Sequence, residues 1–384
     1  MQLTRATRID DLDLTEWDRL AAPRSFYMTS GWVRFQETVE PGLRYGYLVV
    51  QDSGRYLAAT PVYATSQPGN RHYRTAVLFP ELAAAGPNVL VGNTRGYHNQ
   101  LLLDDTASAE CAAAALRALV EGVRAATAEY GADRAWWLYL DDRSVRLLSP
   151  LLATTPKVLG GDGQIDLPEG GYEAYLASTG RRRQRIRRDE ERFAAAGYAV
   201  GRVRLSQMLP DAARLLGQTQ RRYGFDVDDA HLERLLRAQC EATRDEATVY
   251  TCEREGEVLG CCISYTAAQT IYARAVGFDY ARLANAGEYF SLTYYQPIRD
   301  AYRLGLTTLH LGKSAYQAKT LRGAVIRPLW AMCHGPVAWS EGDARSHNSR
   351  YHRQVLDECP AGAIDETLWT ELSEGGRLAE HRGW

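Results

Sequence analysis

Lysine is scarce in this 384-residue chain, although positive charge is not. The sequence contains 42 arginines and only three lysines, Lys157, Lys313 and Lys319. Arginine presents a planar fork of donors, whereas lysine presents a compact point charge on a flexible stem. Because Lys313 and Lys319 fall in one predicted loop, the sequence indicates that this loop needs a point charge. The alternative is chance retention of two lysines on a solvated loop.

Long apolar runs, metal-ligand cysteine spacing and a strong net charge are also lacking. No run approaches the roughly 20 apolar residues of a membrane-spanning helix, and the charged amino terminus is unlike a signal peptide. The net charge of −2 argues against a chain-wide nucleic-acid or membrane surface. The seven cysteines include no CxxC pair, which favours buried reduced thiols over disulfides or zinc. We therefore expect a soluble, cytoplasmic protein that binds no metal and no membrane.

The length and the order of predicted elements indicate an α/β (α+β) chain of two domains. About two to three domains are ordinary for this length, and 45% hydrophobic residues are enough for full cores. Both halves show the order strands, helix, strand, which suggests an internal duplication. Residues 151–163 contain a proline and three glycines, so they predict a boundary between domains at 1–155 and 156–384.

Hydrophobic periodicity and capping residues place elements in each half. The N-terminal half is predicted to contain helices from Leu14 and at 31–39, a hairpin of strands at 44–50 and 56–64, a strand at 100–103, a helix from Thr106 or Ser108 to Tyr130, and a strand at 132–140. The C-terminal half is predicted to contain an arginine-rich helix with Ile186 and Phe193 facing inward, a strand at 198–205, two or three helices up to Arg244, and strands at 247–255, 258–266 and 270–278. The tail from Asp343 to Trp384 is predicted to be a weakly structured cap or helix.

Residues 288–334 combine a helix, a strand and both loop lysines. Side chains that recur every four residues predict one buried face of a helix that ends at Gly305: Phe290, Tyr294, Ile298 and Tyr302. The alternation over 306–311 predicts a short buried strand. Gly312, the two lysines and Gly323 follow directly, so this segment is the centre of the predicted site.

A second conspicuous stretch, 178–192, contains six arginines before any acid. On a helix, Arg181, Arg185 and Arg188 line up at steps of four and three, and neighbouring arginines such as Arg182 widen them into a stripe. Arginine matches phosphate in bidentate geometry, so the stripe predicts contacts with a phosphate-bearing ligand. The alternative is a solvated helix neutralised by the acids at 189–191.

Several segments together carry a family resemblance. They read YLASTGRRRQRIRRDEERFAAAGY, VLGCCISY, TIYARAVGF and YFSLTYYQPIRDAYRLGLTTLHLG, followed by Lys319 to Gly323, with LTEWDRL and SFYMTSGWVRFQE near the amino terminus. As a pattern over most of the chain, they resemble the Fem-type proteins of the GNAT superfamily. That group includes aminoacyl-tRNA-dependent enzymes that form peptide bonds and relatives in natural-product biosynthesis. The resemblance implies two tandem GNAT-like domains with mixed central sheets flanked by helices, and an acyltransferase acting on an amine.

The resemblance leaves the acyl donor open, and the loop before Glu288 bears on it. GNAT enzymes that use acyl-CoA bind its pyrophosphate on backbone amides at a helix N-terminus, in a loop patterned Q/R-x-x-G-x-G/A. Here the loop reads RLANAG, with Arg282 in place but Asn285 where glycine is expected. Fem-type relatives instead use aminoacyl-tRNA, whose acceptor-end phosphates need cations. The prediction is a tRNA-dependent aminoacyltransferase without a cofactor; the alternatives are an acyl-CoA-dependent N-acyltransferase and a non-catalytic binding module.

Amine attack on an aminoacyl ester needs a neutral amine and a stabilised oxyanion, but no protein nucleophile. Lys319, which matches the family's lysine, and Lys313 are predicted to supply the stabilising charge, and Glu288 is predicted to relay the proton. The predicted substrate-binding residues are Tyr294, Tyr295, Arg181, Arg182, Arg185, Arg188 and Arg322. Tyr294 is alternatively an ordinary core residue. The acceptor is predicted to be an amine of a small molecule or peptide, and its identity, the amino acid and the oligomeric state stay open.

Overall fold

The computed structural model describes residues 1–65, 68–82, 87–152, 154–336, 339–360 and 362–373. The chain divides into two compact units. Unit 1 comprises Met1–Asp162 with the chain from Ile326 onward, and unit 2 comprises Gly163–Val325. Compactness alone does not delimit GNAT-like domains, so the predicted ranges 1–155 and 156–384 stay predictions. The compact units differ from those ranges chiefly by grouping the C-terminal segment with the N-terminal half.

The helices and strands are short to medium in length and follow one another closely. The strands are β1 (Gln2–Ala6), β2 (Arg44–Asp52), β3 (Arg55–Thr65), β4 (Asn88–Val91), β5 (Leu102–Leu103), β6 (Ala135–Leu140), β7 (Lys157–Asp166), β8 (Ala199–Arg204), β9 (Thr248–Arg254), β10 (Glu257–Ala267), β11 (Thr270–Phe278), β12 (Thr308–Lys313) and β13 (Val325–His334). The helices are α1 (Leu14–Ala21), α2 (Ser30–Val39), α3 (Thr75–Leu78), α4 (Ala109–Glu129), α5 (Asp142–Leu152), α6 (Tyr172–Ser178), α7 (Arg183–Ala195), α8 (Leu209–Arg222), α9 (Asp229–Ala242), α10 (Glu288–Phe290), α11 (Gln296–Leu304), α12 (Tyr316–Thr320), α13 (Glu341–Glu358) and α14 (Glu366–Ser373). None of the helices among the described residues has both the length and the apolar character that crossing a bilayer requires.

Unit 1 contains a mixed sheet in the order β1-β2-β3-β4-β6-β13, with β5 paired to β3. Its neighbours are antiparallel except β4 and β6, which run parallel with Val91 opposite Trp137. A parallel pair needs a crossover, and the long helix α4 lies between these two strands in the chain. Aromatic side chains dominate the cores on this sheet, among them the fully buried Trp17, Tyr47 and Tyr139.

Unit 2 repeats this arrangement with different elements. Its sheet has the order β12-β11-β10-β9-β8, antiparallel except for β11 and β12, where Ile271 lies opposite Leu309. The crossover between the parallel strands is the helical run Glu288–Leu304. Side chains from α6, α7, α11 and β12 form its main core. The predicted α/β fold, with mixed sheets flanked by helices, is confirmed.

The helical run Glu288–Leu304 contains one turn of π-helix, Ser291–Tyr295, between α10 and α11. A π turn inserts an extra residue into the α-helical repeat and is frequent at functional sites. All five of its side chains are buried. The predicted inward face is confirmed, because Tyr294 and Ile298 are buried in the main core of unit 2 and the partly buried Phe290 and Tyr302 pack against it.

Most predicted elements are confirmed, and the differences lie at glycines and at element ends. The hairpin β2–β3, the strands β9 to β11 and helix α4, capped by Ser108, lie within a few residues of their predicted bounds. Residues 151–163, predicted as a boundary between domains, form the end of α5 and most of β7, and the division between the two compact units falls at Asp162 and Gly163 within this stretch. The predicted strand at 306–311 is shifted to β12. The tail forms α13 and α14 as far as Ser373, and Trp384 lies outside the described residues.

Candidate active site

The arginines predicted to bind phosphate line one open groove of unit 2, with a volume of about 640 Å³. The groove lies along the turn Gly180–Arg182 and the first turns of α7. We call it the arginine groove, and its lining residues are Arg181, Arg182, Gln184, Arg185, Arg188, Asp189, Glu191, Arg192 and Leu321. The four arginines therefore share one surface, as the helical spacing predicted.

Three of the groove arginines have no acidic partner. Arg181, Arg185 and Arg188 are exposed, and no carboxylate in the described ranges lies within ion-pair distance of them. Their neighbours differ, because Arg187 pairs with Glu173 at 2.9 Å and Arg192 pairs with Asp189 at 2.7 Å. The alternative of a stripe neutralised by the acids that follow it does not apply to these three side chains. The groove therefore presents positive charge that an anionic ligand can neutralise.

Arg182 has a different environment from its neighbours in the groove. Its side chain is half-buried, and its Nη1 donates to the carbonyl oxygen of Thr320 at 2.5 Å. Thr320 is the last residue of α12, so this hydrogen bond links the wall of the groove to the segment that contains Lys319. Arg182 therefore helps to position that segment and is less available to a ligand than Arg181, Arg185 and Arg188.

Asp189 connects the arginine groove to a buried network. Its Oδ1 accepts a hydrogen bond from Arg192 at 2.7 Å. Its Oδ2 accepts from Arg322 Nη2 at 2.6 Å and from the Tyr295 hydroxyl at 2.8 Å. Arg322 Nε also donates to the Tyr295 hydroxyl oxygen, at 3.1 Å. Burial raises the pKa of Tyr295, so the hydroxyl stays protonated and keeps donating to the carboxylate.

The network accounts for two of the predicted substrate-binding residues, Arg322 and Tyr295. Their exposed fractions are 2% and 1%, and the Arg322 guanidinium lies 3.0 Å above the centre of the Phe290 ring. A substrate would reach either side chain only after the network opened. Both side chains link α7 to the π turn and to the segment after α12, and substrate binding by either stays a prediction.

Tyr294 is a core residue. Its side chain is fully buried, and its ring packs edge-on against Tyr289 with 5.8 Å between ring centres. It belongs to the same core as Tyr175 and Ile298. The environment of Tyr294 is thus that of an ordinary core residue, which was the alternative interpretation. Contact between Tyr294 and a substrate stays a prediction, and this packing does not favour it.

The two loop lysines meet at a turn after β12. The Lys319 ammonium donates to the carbonyl oxygens of Gly312 and Lys313, and the Lys319 side chain is almost wholly buried. The turn it binds has three residues with positive φ: Gly312 at 69°, Ser314 at 70° and Ala315 at 53°. Positive φ is costly for serine and alanine, and such strain recurs at functional sites. Lys319 therefore stabilises the turn, whereas Lys313 is half-buried and burial lowers its pKa.

Glu288 is buried where the helical run begins. Its Oε1 accepts from the Tyr198 hydroxyl at 2.7 Å, and its Oε2 accepts from the Ala286 amide at 3.0 Å. The Tyr198 hydroxyl oxygen in turn accepts from the Ala284 amide at 2.9 Å. Both carboxylate oxygens are thus used within the protein, and proton relay by Glu288 stays a prediction.

Sequence reasoning missed Asp189 and Tyr198 as members of this site. Asp189 lies three residues after Ile186 and four before Phe193, and all three side chains are buried. This spacing places Asp189 on the inward face of α7, a signal that the surrounding charges obscured. Tyr198 precedes a strand and has no periodic neighbour, so nothing in its spacing singles it out.

Residues 180–320 match the family described as acetyltransferase (GNAT) domain. The matched segment contains α7, the loop before Glu288, the π turn and both loop lysines. It therefore covers most of the candidate site, and Arg322 follows just beyond it. This match indicates that unit 2 contains a domain of the acyltransferase type.

The fold of the whole described chain has counterparts among solved structures. FemX is 12% identical, with a TM-score of 0.62 over 86% of this chain and 97% of that one. A conserved protein of unknown function from Bacteroides thetaiotaomicron is 13% identical, with a TM-score of 0.53 over 84% and 97%. The C-terminal domain of a protein assigned as lysylphosphatidylglycerol synthetase from Agrobacterium fabrum is 12% identical, with a TM-score of 0.51 over 89% and 96%. No curated protein matches the chain in sequence.

At such low identities these likenesses establish the fold, and the family match establishes the type of domain. Residues 180–320 therefore contain a GNAT acetyltransferase domain, and the fold of the chain resembles that of FemX. The family resemblance found in the sequence is confirmed at this level, as is the prediction of an acyltransferase.

Proposed function

We propose that the chain transfers an aminoacyl group from aminoacyl-tRNA to an amine of a small molecule or peptide. The observation that carries this proposal is the arginine groove, with three exposed guanidinium groups and no acidic partners for them in the described chain. An open groove lined by arginine suits the phosphates of a flexible acceptor end, where affinity comes from charge and little from base reading.

The length of the groove supports a ligand with more than one phosphate. Arg181 and Arg188 are seven residues apart, which corresponds to roughly 10 Å along a helix. One phosphate would engage one arginine fork or two, so three unpaired forks over this length favour a polyanionic backbone. Exposed arginine side chains are solvated again when the ligand leaves, so release of the ligand costs them little free energy. This suits a donor that must be exchanged after every turnover.

The proposed reaction needs no covalent intermediate with the protein. The neutral acceptor amine attacks the ester carbonyl carbon of the aminoacyl-tRNA, and a carbon–nitrogen bond forms. The ester carbon–oxygen bond then breaks, and the terminal ribose hydroxyl leaves with the proton given up by the amine. Lys313, which is half-buried at the same turn, is the proposed source of positive charge for the oxyanion, and Lys319 is proposed to hold that turn through its carbonyl oxygens.

Acyl-CoA is the second candidate donor. The specific observation in its favour is the match of residues 180–320 to a family described as acetyltransferase. A direct comparison of the two donors distinguishes the candidates, because we propose that the phosphates of the tRNA acceptor end bind in the arginine groove.

A donor-transfer assay tests the proposal. The purified chain is incubated with total tRNA charged with radiolabelled amino acids, or with radiolabelled acetyl-CoA, each with a panel of short peptides and primary amines. We expect label to move from tRNA to an amine, and to do so more slowly in a variant with Arg181, Arg185 and Arg188 changed to Gln. Transfer from acetyl-CoA alone, or transfer from tRNA at the same rate in that variant, would overturn the proposal.

A further inference from the structure

The loop Asp279–Gly287, which leads into the helical run at Glu288, has left-handed backbone at the two positions where the phosphate-binding pattern has glycine. Asn285 has a φ of 57° and Gly287 a φ of 92°, so both adopt the left-handed conformation that glycine favours. Asparagine is among the few other residues that adopt it readily. The departure from the glycine pattern at Asn285 therefore leaves the backbone path intact.

Although the path is kept, amides of this loop are already hydrogen-bonded to side chains. The Ala284 amide donates to the Tyr198 hydroxyl oxygen at 2.9 Å, and the Ala286 amide donates to Glu288 Oε2 at 3.0 Å. The Tyr198 hydroxyl completes the arrangement by donating to Glu288 Oε1 at 2.7 Å. Burial raises the pKa of Tyr198 to about 12, with the carboxylate of Glu288 adding to the effect, so this hydroxyl stays protonated at neutral pH.

The Glu288 carboxylate, which occupies an amide of this loop, is negatively charged, as a phosphate is. Glu288 is 3% exposed and begins the helical run, where the positive end of the helix dipole stabilises an anion. A pyrophosphate placed there would meet a carboxylate within a few ångströms, in surroundings that screen charge poorly. The side of Gly287 that would bear a Cβ faces the backbone of Asp189, whose carbonyl oxygen lies 3.6 Å from that point.

The arginine at the start of the loop is also engaged. Arg282 forms an ion pair with Glu257, and its carbonyl oxygen accepts from Arg254 at 2.8 Å. A pyrophosphate would therefore have to displace an acid from Arg282 as well as the internal carboxylate from the amides.

We propose that Glu288 is a specificity-determining residue whose carboxylate, together with the Tyr198 hydroxyl, takes the place of a pyrophosphate in this loop and so excludes acyl-CoA as donor. This inference rests on the proposed function in one respect only: it explains why the phosphates of the proposed tRNA donor bind in the arginine groove and not in this loop. It concerns a different set of atoms from the arginine groove, and the two can fail separately.

The test is binding of CoA and of inorganic pyrophosphate, measured by calorimetry. The wild-type chain is compared with Glu288→Ala, with Glu288→Ala combined with Tyr198→Phe, and with Glu288→Gln, which keeps the side-chain shape without the charge. Glu257→Ala is the matched control, because it removes a carboxylate that pairs with Arg282 of the loop and leaves the amides occupied. Thermal unfolding establishes which variants are folded.

We expect no measurable binding to the wild type or to Glu257→Ala, and pyrophosphate binding in the Glu288→Ala chains that is stronger than the detection limit by on the order of tenfold or more. If the alanine variants do not fold, a gain in Glu288→Gln gives the same support. Saturable binding of CoA to the wild type, or folded Glu288 variants without any gain, would overturn the inference.

Transfer from charged tRNA is measured on the wild type in parallel. Transfer from tRNA together with CoA binding refutes only the role of Glu288. If the wild type transfers nothing from charged tRNA and does not bind CoA, while the Glu288 variants gain pyrophosphate affinity, only the proposed donor is refuted.

Discussion

Asp189 and Arg322 form an ion pair of 2.6 Å in which both side chains are almost wholly buried. They come from distant parts of unit 2, one from α7 and the other from just beyond α12. The pair therefore joins the helix that lines the arginine groove to the segment that contains Lys319. Removing one member of such a pair leaves a buried charge without a partner, which is far more costly than losing an exposed ion pair.

Asp189→Ala should lower the free energy of unfolding by about 3–5 kcal/mol, because Arg322 would be left charged and buried. The double variant Asp189→Ala with Arg322→Met should recover part of that loss, since it removes the stranded charge. Urea unfolding of the wild type, both single variants and the double variant measures the coupling. Arg187→Met, which breaks the exposed pair with Glu173, is the control and should cost less than about 1 kcal/mol. Equal effects at the two sites would show that burial does not govern the Asp189 pair.

The two loop lysines should respond differently to substitution by methionine. Lys319→Met removes the ammonium from two turn carbonyls, so we expect a loss of about 1.5–3 kcal/mol of stability accompanied by slower turnover. Lys313→Met should lower turnover by on the order of a hundredfold, as loss of an oxyanion donor does. Single-turnover rates and melting temperatures of both variants check this. A stable Lys319→Met chain with a hundredfold lower rate would reassign the direct role to Lys319.

Changing Arg181, Arg185 and Arg188 to Gln should weaken tRNA binding and reduce the slope of log affinity against log salt by about 2–3. The melting temperature should stay the same, because exposed charges contribute little to stability. Filter binding over a salt series gives the slope. Arg183→Gln is the matched control, since Arg183 is exposed in the same segment but is not part of the groove lining. An unchanged slope in the triple variant would remove phosphate binding from the groove.

Asp104 in unit 1 should make stability fall in acid. Burial alone would raise the pKa of its carboxyl, but hydrogen bonds from Arg55 and Thr106 outweigh burial and hold the pKa well below its usual value. A lowered carboxyl pKa contributes stability that is present above the unfolded pKa of about 3.9 and is lost as the pH falls below it. Unfolding free energies between roughly pH 2 and 7 should therefore decline more steeply in the wild type than in Asp104→Asn.

The control for this experiment is the neighbouring carboxylate of Asp105, which is more than half exposed. Asp105→Asn should keep the wild-type decline in acid. If Asp104→Asn declines as steeply as the wild type, other carboxylates are responsible for the acid sensitivity.

Regular periodicity made much of the fold predictable. Where the periodicity is interrupted, as in β7 and at the π turn, the element was not predicted. Strands β9 to β11 and helix α4 have uniform patterns with clear caps or turns. In β7, by contrast, Gly160, Gly161 and Gly163 have no side chains to show an alternating pattern, so the strand resembles a linker. The π turn cannot be predicted from spacing either, because it adds one residue to a face that still appears continuous.

Most residues of the candidate site could be named from the sequence, but which of them are exposed and which are buried could not. The arginine stripe was found because charge and spacing agree on an exposed helix face. The burial of Lys319 and Arg322 was not predicted, because sequence reasoning assigns charged residues to ligands, whereas Lys319 binds carbonyl oxygens of a nearby turn and Arg322 binds Asp189 from a distant part of the chain; their predicted roles stay predictions. Only the tertiary structure brings those partners together.

The scarcity of lysine has a chemical consequence for an enzyme that handles activated acyl groups. Lys157 is buried beside Glu81, Lys319 is buried against its turn, and Lys313 is half-buried. The amino group of Met1 lies 3.0 Å from a carboxylate of Asp52. An arginine-rich surface is cationic but barely nucleophilic, so it can attract an activated ester without being acylated by it.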